Sequence, residues 1–306
     1  MRIQPLWRLS LFACLLALAS LPVLPTRTGA ETILNDSAVL KPFEHHVWNE
    51  VLNRFVDNDS QVQWLYLRAS PERLNQYLSQ LQRVSPDSHP TFFPTWQHRL
   101  AYWINAHNAL MLRIGLNHYP PAQLTAGNGP EQATGKTDWL LLPDWLKEPR
   151  YTLGNEPYSI FKLQEKLLKE FYFAPEAYLA LTTLTVGSPP LRKPGYSAKT
   201  LETDLKQQAE RFLQSANAVA VDGGCQQLRL SAHIMRFAPG IVQYLQAEKY
   251  RQQPQVQQWL RPYLPAAQQQ VLLTQPGCLT RQAVGLPMNW QWIPVWMPVE
   301  TTLPDG

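Results

Sequence analysis

The stretch LAYWINAHNALMLRIGL, residues 100–116, lies inside a strongly apolar segment that runs from residue 96 to residue 117. Its apolar residues recur at the spacing of an α-helix, and Pro120 and Pro121 supply a stop signal just beyond it. The segment therefore predicts a helix over 96–117, the most strongly predicted element of the chain.

Helical patterns flank this segment on both sides. Apolar residues recur at helical spacing in 43–56 and in 71–84, where a proline stands at the start. The stretch RYTLGNEPYSI, residues 150–160, predicts a hairpin about Gly154 and Asn155. Ser159 is a suitable N-cap for a helix that continues to about Phe171, and a further helix is predicted over 197–214.

Two segments are harder to assign. The apolar run 178–186 is typical of a buried strand, although a run this short also fits a helix. The chain from 252 onward is rich in Gln and Pro and is expected to be irregular. With many helices and few strands, the sequence predicts an α+β fold, a mainly helical single domain with a small β-hairpin or sheet.

Ser188 stands at the end of the run YLALTTLTVGSPPL, residues 178–191. A nucleophile elbow, Gly-x-Ser-x-Gly, needs a second glycine where Pro190 stands. Pro189 also lacks the backbone N–H that usually forms half of an oxyanion hole. On this chemistry Ser188 is a turn residue.

Trp103, Asn105 and Asn108 lie inside the apolar helix, and the two asparagines share one side of it. A buried Asn needs hydrogen-bond partners or costs about 1–3 kcal/mol. Two readings stay open. The asparagines either tie down a neighbouring loop, or they line a pocket and bind a ligand.

The histidines do not form a metal-binding motif. His46 and Glu50 are spaced to share an ion, but two ligands do not make a site, and neither His-Glu-x-x-His nor Cys-x-x-Cys occurs. We therefore predict no metal and no cofactor. His107 lies between the two asparagines and can be interpreted as a buried core imidazole or as a catalytic base.

The N-terminus has the form of a secretory signal peptide. Arg2 and Arg8 precede an apolar stretch, Leu9–Leu21, and small residues follow up to Ala30. The stretch is too short for a membrane span of about 20 residues. We expect cleavage near Ala30 and export to the periplasm or the extracellular space, with no transmembrane helix in the mature chain.

The charge of the chain narrows the classes of partner that it can bind. Removing residues 1–30 takes away three arginines and no acid, which leaves 24 of the 27 Lys and Arg against 23 Asp and Glu. A chain this close to neutrality, without a basic run, argues against nucleic acid as a partner.

Cys225 and Cys278 remain after the signal peptide is removed. An even number of cysteines in an exported protein is typical of a disulfide, and two unpaired buried thiols are the alternative.

These motifs resemble those of the domain of unknown function 547 family over residues 43 to about 292. The stretch YWINAHNAL, residues 102–110, is similar to its Phe-Trp-Ile-Asn-x-Tyr-Asn-Ala-Leu signature. The segments NHYPPAQL, SIFKLQEKLLK, YLALTTLTVGSPPLRKPGYSAKTLETDL and LRLSAHI follow in the family's order. Together with the signal peptide predicted at 1–30, the resemblance predicts a single domain over 31–306, and it implies no activity.

The chain departs from the family at the residues that carry reactive groups. The family has a Glu-His pair that is followed by Leu-Arg. This chain has Gln164 and Glu165 in place of the pair, followed by Leu168 and Lys169. A His and two Cys are replaced by Tyr178, Thr183 and Ser188, the signature Tyr by His107, and a late Asp by Asn289. A thiolate needs a nearby base, and this chain has lost the thiols and the imidazoles together.

The leading hypothesis is an exported protein that keeps the scaffold without this chemistry. It binds a small molecule, a peptide or an envelope protein near Trp103, Asn105, Asn108, Tyr178 and Thr183. The alternative is a hydrolase that uses Ser188 or Glu165 with His107. A third hypothesis, an envelope-interaction protein, rests on a patch of Trp290, Trp292 and Trp296.

Overall fold

Helices dominate the computed structural model, which describes residues 41–118, 144–184, 187–221, 228–247, 256–274 and 284–286. Within these ranges the α-helices are α1 (His46–Phe55), α2 (Trp64–Ala69), α3 (Glu72–Arg83), α4 (Trp96–His118), α5 (Asp144–Lys147), α6 (Ile160–Glu170), α7 (Leu201–Leu213), α8 (Ala232–Ala247), α9 (Val256–Leu260) and α10 (Ala266–Thr274). Short 3-10 helices are formed by Pro90–Phe92, Pro175–Ala180 and Arg261–Tyr263.

Helix α4 is the central element of the core. Every residue from 101 to 112 is buried, which is more than three consecutive turns. A helix covered on all sides needs neighbours on all sides, and α4 packs against α3, α6, α7 and the 3-10 helix Pro175–Ala180. The helix predicted over 96–117 is confirmed.

The other predicted helices are also confirmed, with small changes at their ends. Helices α1 and α3 bury their apolar faces, including Val51 and Leu81. The N-cap of α6 is Ser159, whose hydroxyl accepts a hydrogen bond from the Lys162 N–H at 3.0 Å. Helix α7 begins at Leu201, four residues later than predicted.

The predicted hairpin is present. Strands β1 (Tyr151–Leu153) and β2 (Glu156–Tyr158) pair antiparallel around Gly154 and Asn155, whose φ angles are +58° and +69°. Two consecutive positive φ values define the type I′ turn that matches the twist of a hairpin. The turn also completes α3, because the N–H groups of Gly154 and Asn155 donate to the carbonyls of Leu81 and Gln82 at 2.9 and 2.8 Å.

A second small sheet was not predicted. It contains β3 (Val219–Val221), β4 (Leu228–Ser231) and β5 (Val284–Leu286), in that order. Strands β3 and β4 are antiparallel, and β4 and β5 are parallel. A mainly helical chain with two small sheets confirms the α+β fold class.

Two predicted segments differ from the structure. In the run 178–186, residues 178–183 are buried as expected, but the described part is not a strand: it starts in the 3-10 helix Pro175–Ala180 and continues without regular structure to Leu184. Its backbone bonds to a side chain of α4 instead of a neighbouring strand. The region after 252 is not simply irregular, since it contains α9, α10 and β5.

All described residues belong to one compact unit, residues 40–306. The division into a signal peptide and a single domain stays a prediction. Several predicted features lie outside the described residues: the signal peptide 1–30, the loop 125–136, Cys225, Cys278, Asn289, Trp290, Trp292 and Trp296. Among the described helices, none has both the length and the apolar character to cross a bilayer.

Candidate functional site

Asn105 fastens the loop before α7 to the middle of α4. Its side-chain amide donates to the Tyr196 carbonyl at 2.7 Å, and its carbonyl accepts from the Tyr196 N–H at 3.0 Å. The side chain is fully buried. Asn105 therefore satisfies both backbone groups of one loop residue, as the loop-tying reading expects.

Asn108 makes the same kind of connection one turn later. Its amide donates to the Ala180 carbonyl at 2.9 Å, and its carbonyl accepts from the Thr182 N–H at 3.0 Å. These bonds take the place of a strand partner for the segment after Ala180. The sequence neighbours of Ser188 are thus positioned from the centre of α4.

His107 is the middle member of a buried polar chain, Arg236–Gln164–His107–Asn108, which we call the His107 network. The Arg236 Nε donates to Gln164 Oε1 at 2.8 Å, so the Gln164 amide nitrogen faces His107 and donates to Nε2 at 3.0 Å. The imidazole is then protonated at Nδ1, which donates to Asn108 Oδ1 at 3.2 Å. Both ring nitrogens are occupied.

Burial keeps this histidine neutral. Loss of solvent lowers the pKa of His107 to about 4, although the Asn108 hydrogen bond favours the charged form, and the charge of Arg236 lowers it further. Burial likewise lowers the pKa of Arg236 to about 10, opposed by the nearby Glu165 carboxylate. A neutral imidazole whose nitrogens are both engaged is poorly suited to take a proton from a nucleophile.

Tyr178, the residue at the family's His position, lies beside the His107 network. It is buried, its ring stacks on Phe237 at 5.3 Å, and its carbonyl accepts from His233 Nε2 at 2.7 Å. The Tyr178 hydroxyl and His233 Nδ1 have no partner within the described residues. Burial raises the pKa of Tyr178 and lowers that of His233 to about 3.

Ser188 lies on the wall of a cavity of about 390 Å³, which we call the Ser188 cavity. Three parts of the chain meet there: the α1–α2 turn, the segment around Ser188, and the end of α7 with the turn after it. The described lining residues are Asp59, Ser60, Gln61, Val62, Trp64, Thr182, Leu184, Gly187, Ser188, Pro189, Pro190, Leu191, Arg211, Phe212, Ser215 and Asn217. Most of the groups that can recognise a ligand here are hydroxyls and amides.

Backbone strain is concentrated at this cavity. Ser60 and Leu184 have φ angles of +64° and +57°, which residues other than glycine rarely adopt. Gly187 has φ +80°, and a Cβ there would lie 2.9 Å from the Asn217 carbonyl oxygen. Such strain clusters at ligand sites, where the surrounding structure holds it in place.

The structure separates the predicted catalytic candidates. Ser188 is half-buried at the cavity, His107 is fully buried in its network, and Glu165 is exposed on α6 near Arg236. The hydrogen bonds of His107 go to Asn108 and Gln164. Neither of these two hydrogen bonds joins His107 to Ser188 or Glu165, and the hydrolase assignment stays a prediction.

The five predicted binding residues are buried. Trp103, Asn105 and Tyr178 are 0% exposed, and Asn108 and Thr183 are 4% and 5% exposed. None of the five lines the Ser188 cavity; their neighbour Thr182 does. Their assignment as ligand contacts stays a prediction.

Sequence reasoning missed Asp59, Arg211 and Arg236. Asp59 lies in a turn that the sequence signals by the presence of Asp57. The Asp57 Oδ1 accepts hydrogen bonds from the N–H groups of Asp59 and Gln61. Arg211 and Arg236 are ordinary helical charges in sequence. Only the packing of distant segments gives these two arginines their positions.

The possible metal pair also separates. Glu50 forms an ion pair with Arg73 at 3.1 Å, and His46 contacts Glu44 at 3.7 Å. Across the described ranges, no three His, Cys, Asp or Glu side chains converge where they could hold a metal ion.

The comparisons with known proteins give one match. Residues 94–213 match the family model described as "Protein of unknown function, DUF547". This range contains α4, α6, α7 and Ser188. No curated protein and no solved structure matches the chain.

Proposed function

The chain belongs to the family described as protein of unknown function, DUF547, and from this premise we propose that it is a binding protein that holds a small polar molecule in the Ser188 cavity. The family description states no activity, so the proposal rests on the site. The observation that carries it is a polar cavity at the position of the family's cysteine, with no histidine, cysteine or lysine among its described lining residues.

The cavity has the size and lining of a ligand site. A volume of about 390 Å³ lies within the range of about 300–1,000 Å³ typical of small-molecule pockets. Hydroxyl and amide groups of Ser60, Gln61, Thr182, Ser215 and Asn217 can fix the orientation of a polar molecule. A second cavity of about 320 Å³ contains none of the predicted site residues.

The lining offers little for hydrolysis. Among the described lining residues, Asp59 is the one carboxylate, and histidine, cysteine and lysine are absent. Pro189 cannot contribute a backbone N–H to an oxyanion hole. These features favour binding over the hydrolase alternative, in which Ser188 or Glu165 acts with His107.

Two replacements at Ser188 distinguish the alternatives. Ser188→Ala removes the hydroxyl and keeps the space, whereas Ser188→Phe fills the space. Saturation-transfer NMR with a mixture of a dipeptide, a disaccharide and glycerol should detect binding to the wild type and to Ser188→Ala, but not to Ser188→Phe. The same three proteins are assayed with p-nitrophenyl acetate, and ester cleavage lost in Ser188→Ala would establish the hydrolase instead.

We further propose that the chain acts outside the cytoplasm. The support is the N-terminal sequence alone, in which Arg2 and Arg8 precede the apolar stretch Leu9–Leu21 and small residues lead to Ala30. Fractionation of cells that express the full chain, followed by N-terminal sequencing, should find a mature protein that begins near Glu31. A chain retained in the cytoplasm with Met1 intact would contradict this.

A further inference from the structure

We infer that the molecule held in the Ser188 cavity is a zwitterion, a free amino acid or a dipeptide, whose ammonium group binds Asp59 and whose carboxylate binds Arg211. This inference rests on the proposed binding function and specifies its ligand. It follows from the charges, the remaining lining and the size of the cavity.

Asp59 and Arg211 place opposite charges on one cavity without neutralising each other. Asp59 lies in the α1–α2 turn and Arg211 in the last turn of α7, and both line the cavity. Neither charged group has an ion pair or a side-chain hydrogen bond within the described part of the chain. The ionic contact that each charge lacks is therefore available to a ligand.

The turn holds Asp59 in position. The Asp57 carboxylate accepts from the Asp59 N–H at 2.9 Å and from the Gln61 N–H at 2.8 Å, and Ser60 takes a positive φ of +64°. On the other side, the Arg211 backbone is part of α7. Since both charges stand on ordered backbone, a ligand that bridges them orders only side chains.

The described lining carries one acidic and one basic residue, so its formal charge is zero. A ligand with a net negative charge would meet Asp59, and one with a net positive charge would meet Arg211. A neutral sugar would leave both charges without an ionic partner. A dipolar molecule of zero net charge is the class that satisfies both charges at once.

The remaining lining suits a short peptide unit. Asn217 has no side-chain partner within the described residues, and its amide can both donate to a peptide carbonyl and accept from a peptide N–H. Val62, Leu184 and Phe212 supply apolar surface for a ligand side chain. Amide and apolar groups between two opposite charges match the composition of a dipeptide.

The size limits the length of the ligand. A sphere of 390 Å³ is about 9 Å across, and two extended residues span about 7 Å. A free amino acid or a dipeptide therefore fits, and a longer extended peptide exceeds the cavity.

The test is a calorimetric titration of the full mature chain with four probes: alanylalanine, its N-acetyl derivative, its C-terminal amide, and trehalose. Alanylalanine should bind, and blocking either end should weaken Kd by about tenfold, the effect of one lost charge-assisted hydrogen bond. Asp59→Asn is isosteric, Arg211→Gln shortens the side chain and removes its charge, and both residues are exposed, so the fold should persist. Each variant should weaken the binding of alanylalanine by about tenfold. In Asp59→Asn the N-acetyl block should cause no further loss of affinity, and in Arg211→Gln the C-terminal amide should cause none.

The outcomes separate this inference from the proposed function. Trehalose binding that Ser188→Phe abolishes, without alanylalanine binding, would overturn the zwitterion and keep the binding site. Alanylalanine binding that neither end-block weakens would also overturn the charge assignment. Equal responses of wild type and Ser188→Phe to every probe would overturn the proposed function together with the inference.

Discussion

At the scale of single residues, α4 shows how an apolar helix carries polar side chains. Asn105 and Asn108 each bond one backbone carbonyl and one backbone N–H of a neighbouring segment. His107 has a partner at each nitrogen. No hydrogen-bonding capacity of these three side chains is exposed to water, so their role in α4 is to define the positions of the segments around it.

Gln164 fixes the tautomer of His107, since its amide nitrogen donates to Nε2. In Gln164→Glu, the carboxylate accepts from Arg236 and requires a second N–H at His107 Nε2, so the imidazolium is favoured. We expect the pKa of His107 to rise from about 4 by roughly 1–3 units. Titration of the ring nitrogens by NMR measures it, with Glu165→Gln as the matched control. A His107 that stays neutral and protonated at Nδ1 in Gln164→Glu at pH 5 would contradict this assignment.

At the scale of elements, short connections are fixed by contacts to helices. The hairpin turn bonds to the end of α3, and the loop between Ser188 and α7 is bonded at Pro190, Gly195 and Tyr196 to side chains of α7, α1 and α4. These loops have side-chain partners instead of long strand ladders. Their geometry therefore depends on a few identifiable groups.

Gly154 occupies a turn position that is both left-handed and crowded. A Cβ at Gly154 would lie 2.1 Å from Ser85 Oγ. Gly154→Ala should lower the free energy of unfolding by about 2–4 kcal/mol, from left-handed strain and overpacking together. Asn155→Ala, at φ +69°, should cost only about 1–2 kcal/mol, because the strain acts there alone. Urea denaturation compares them, and equal losses would show that the Ser85 contact relaxes freely.

Arg192 ties the loop after the cavity to α7. Its Nη2 contacts Asp204 Oδ1 at 2.5 Å, and the two side chains are 16% and 9% exposed. Arg192→Ala leaves a mostly buried carboxylate with only Thr200, and we expect a loss of about 2–4 kcal/mol in denaturation experiments. The control is Arg150→Ala, which breaks an equally short but exposed pair with Glu148 and should cost at most about 1 kcal/mol. Similar losses in both variants would contradict the importance of burial.

At the scale of the whole molecule, stability should fall in mild acid. Burial keeps His45, His107 and His233 neutral, with pKa values of about 3, about 4 and about 3 against 6.5 for a free imidazole. Between pH 6.5 and pH 4 the unfolded chain binds protons that the folded chain does not, so stability decreases as pH falls. From pH 7 to pH 5 each histidine should cost about 2 kcal/mol.

Denaturation curves at several pH values measure this slope. His233→Gln keeps the donor to the Tyr178 carbonyl but removes one of the three titrating groups, and it should reduce the slope by about a third. Asn75→Gln, on the exposed face of α3, removes no titrating group and is the control, which should leave the slope as in the wild type. A wild-type stability that is constant from pH 7 to pH 5 would contradict the buried neutral assignment.

Sequence reasoning succeeded where the signal was local. The run around Trp103 predicted α4, and Gly154–Asn155 predicted the hairpin, because periodicity and turn chemistry act within a few residues. The strand alternative failed for 178–184, where Asn108, more than 70 positions earlier in the chain, bonds the backbone of Ala180 and Thr182. The position of Arg236 against Gln164 and the convergence of Asp59, Ser188 and Arg211 are equally non-local. No local pattern in the chain encodes them.

The bond from Thr182 to Asn108 gives the protein an internal spectroscopic reporter. Asn108 Oδ1 accepts both from the Thr182 N–H, on the cavity wall, and from the Nδ1–H of His107, in the core. Any displacement of Thr182 changes how strongly that oxygen accepts from the imidazole. The ring N–H of His107 is 0% exposed, so its proton exchanges slowly with water and gives a resolvable low-field signal. The proposed occupancy of the cavity can thus be tested from an unlabelled side chain that does not line the cavity.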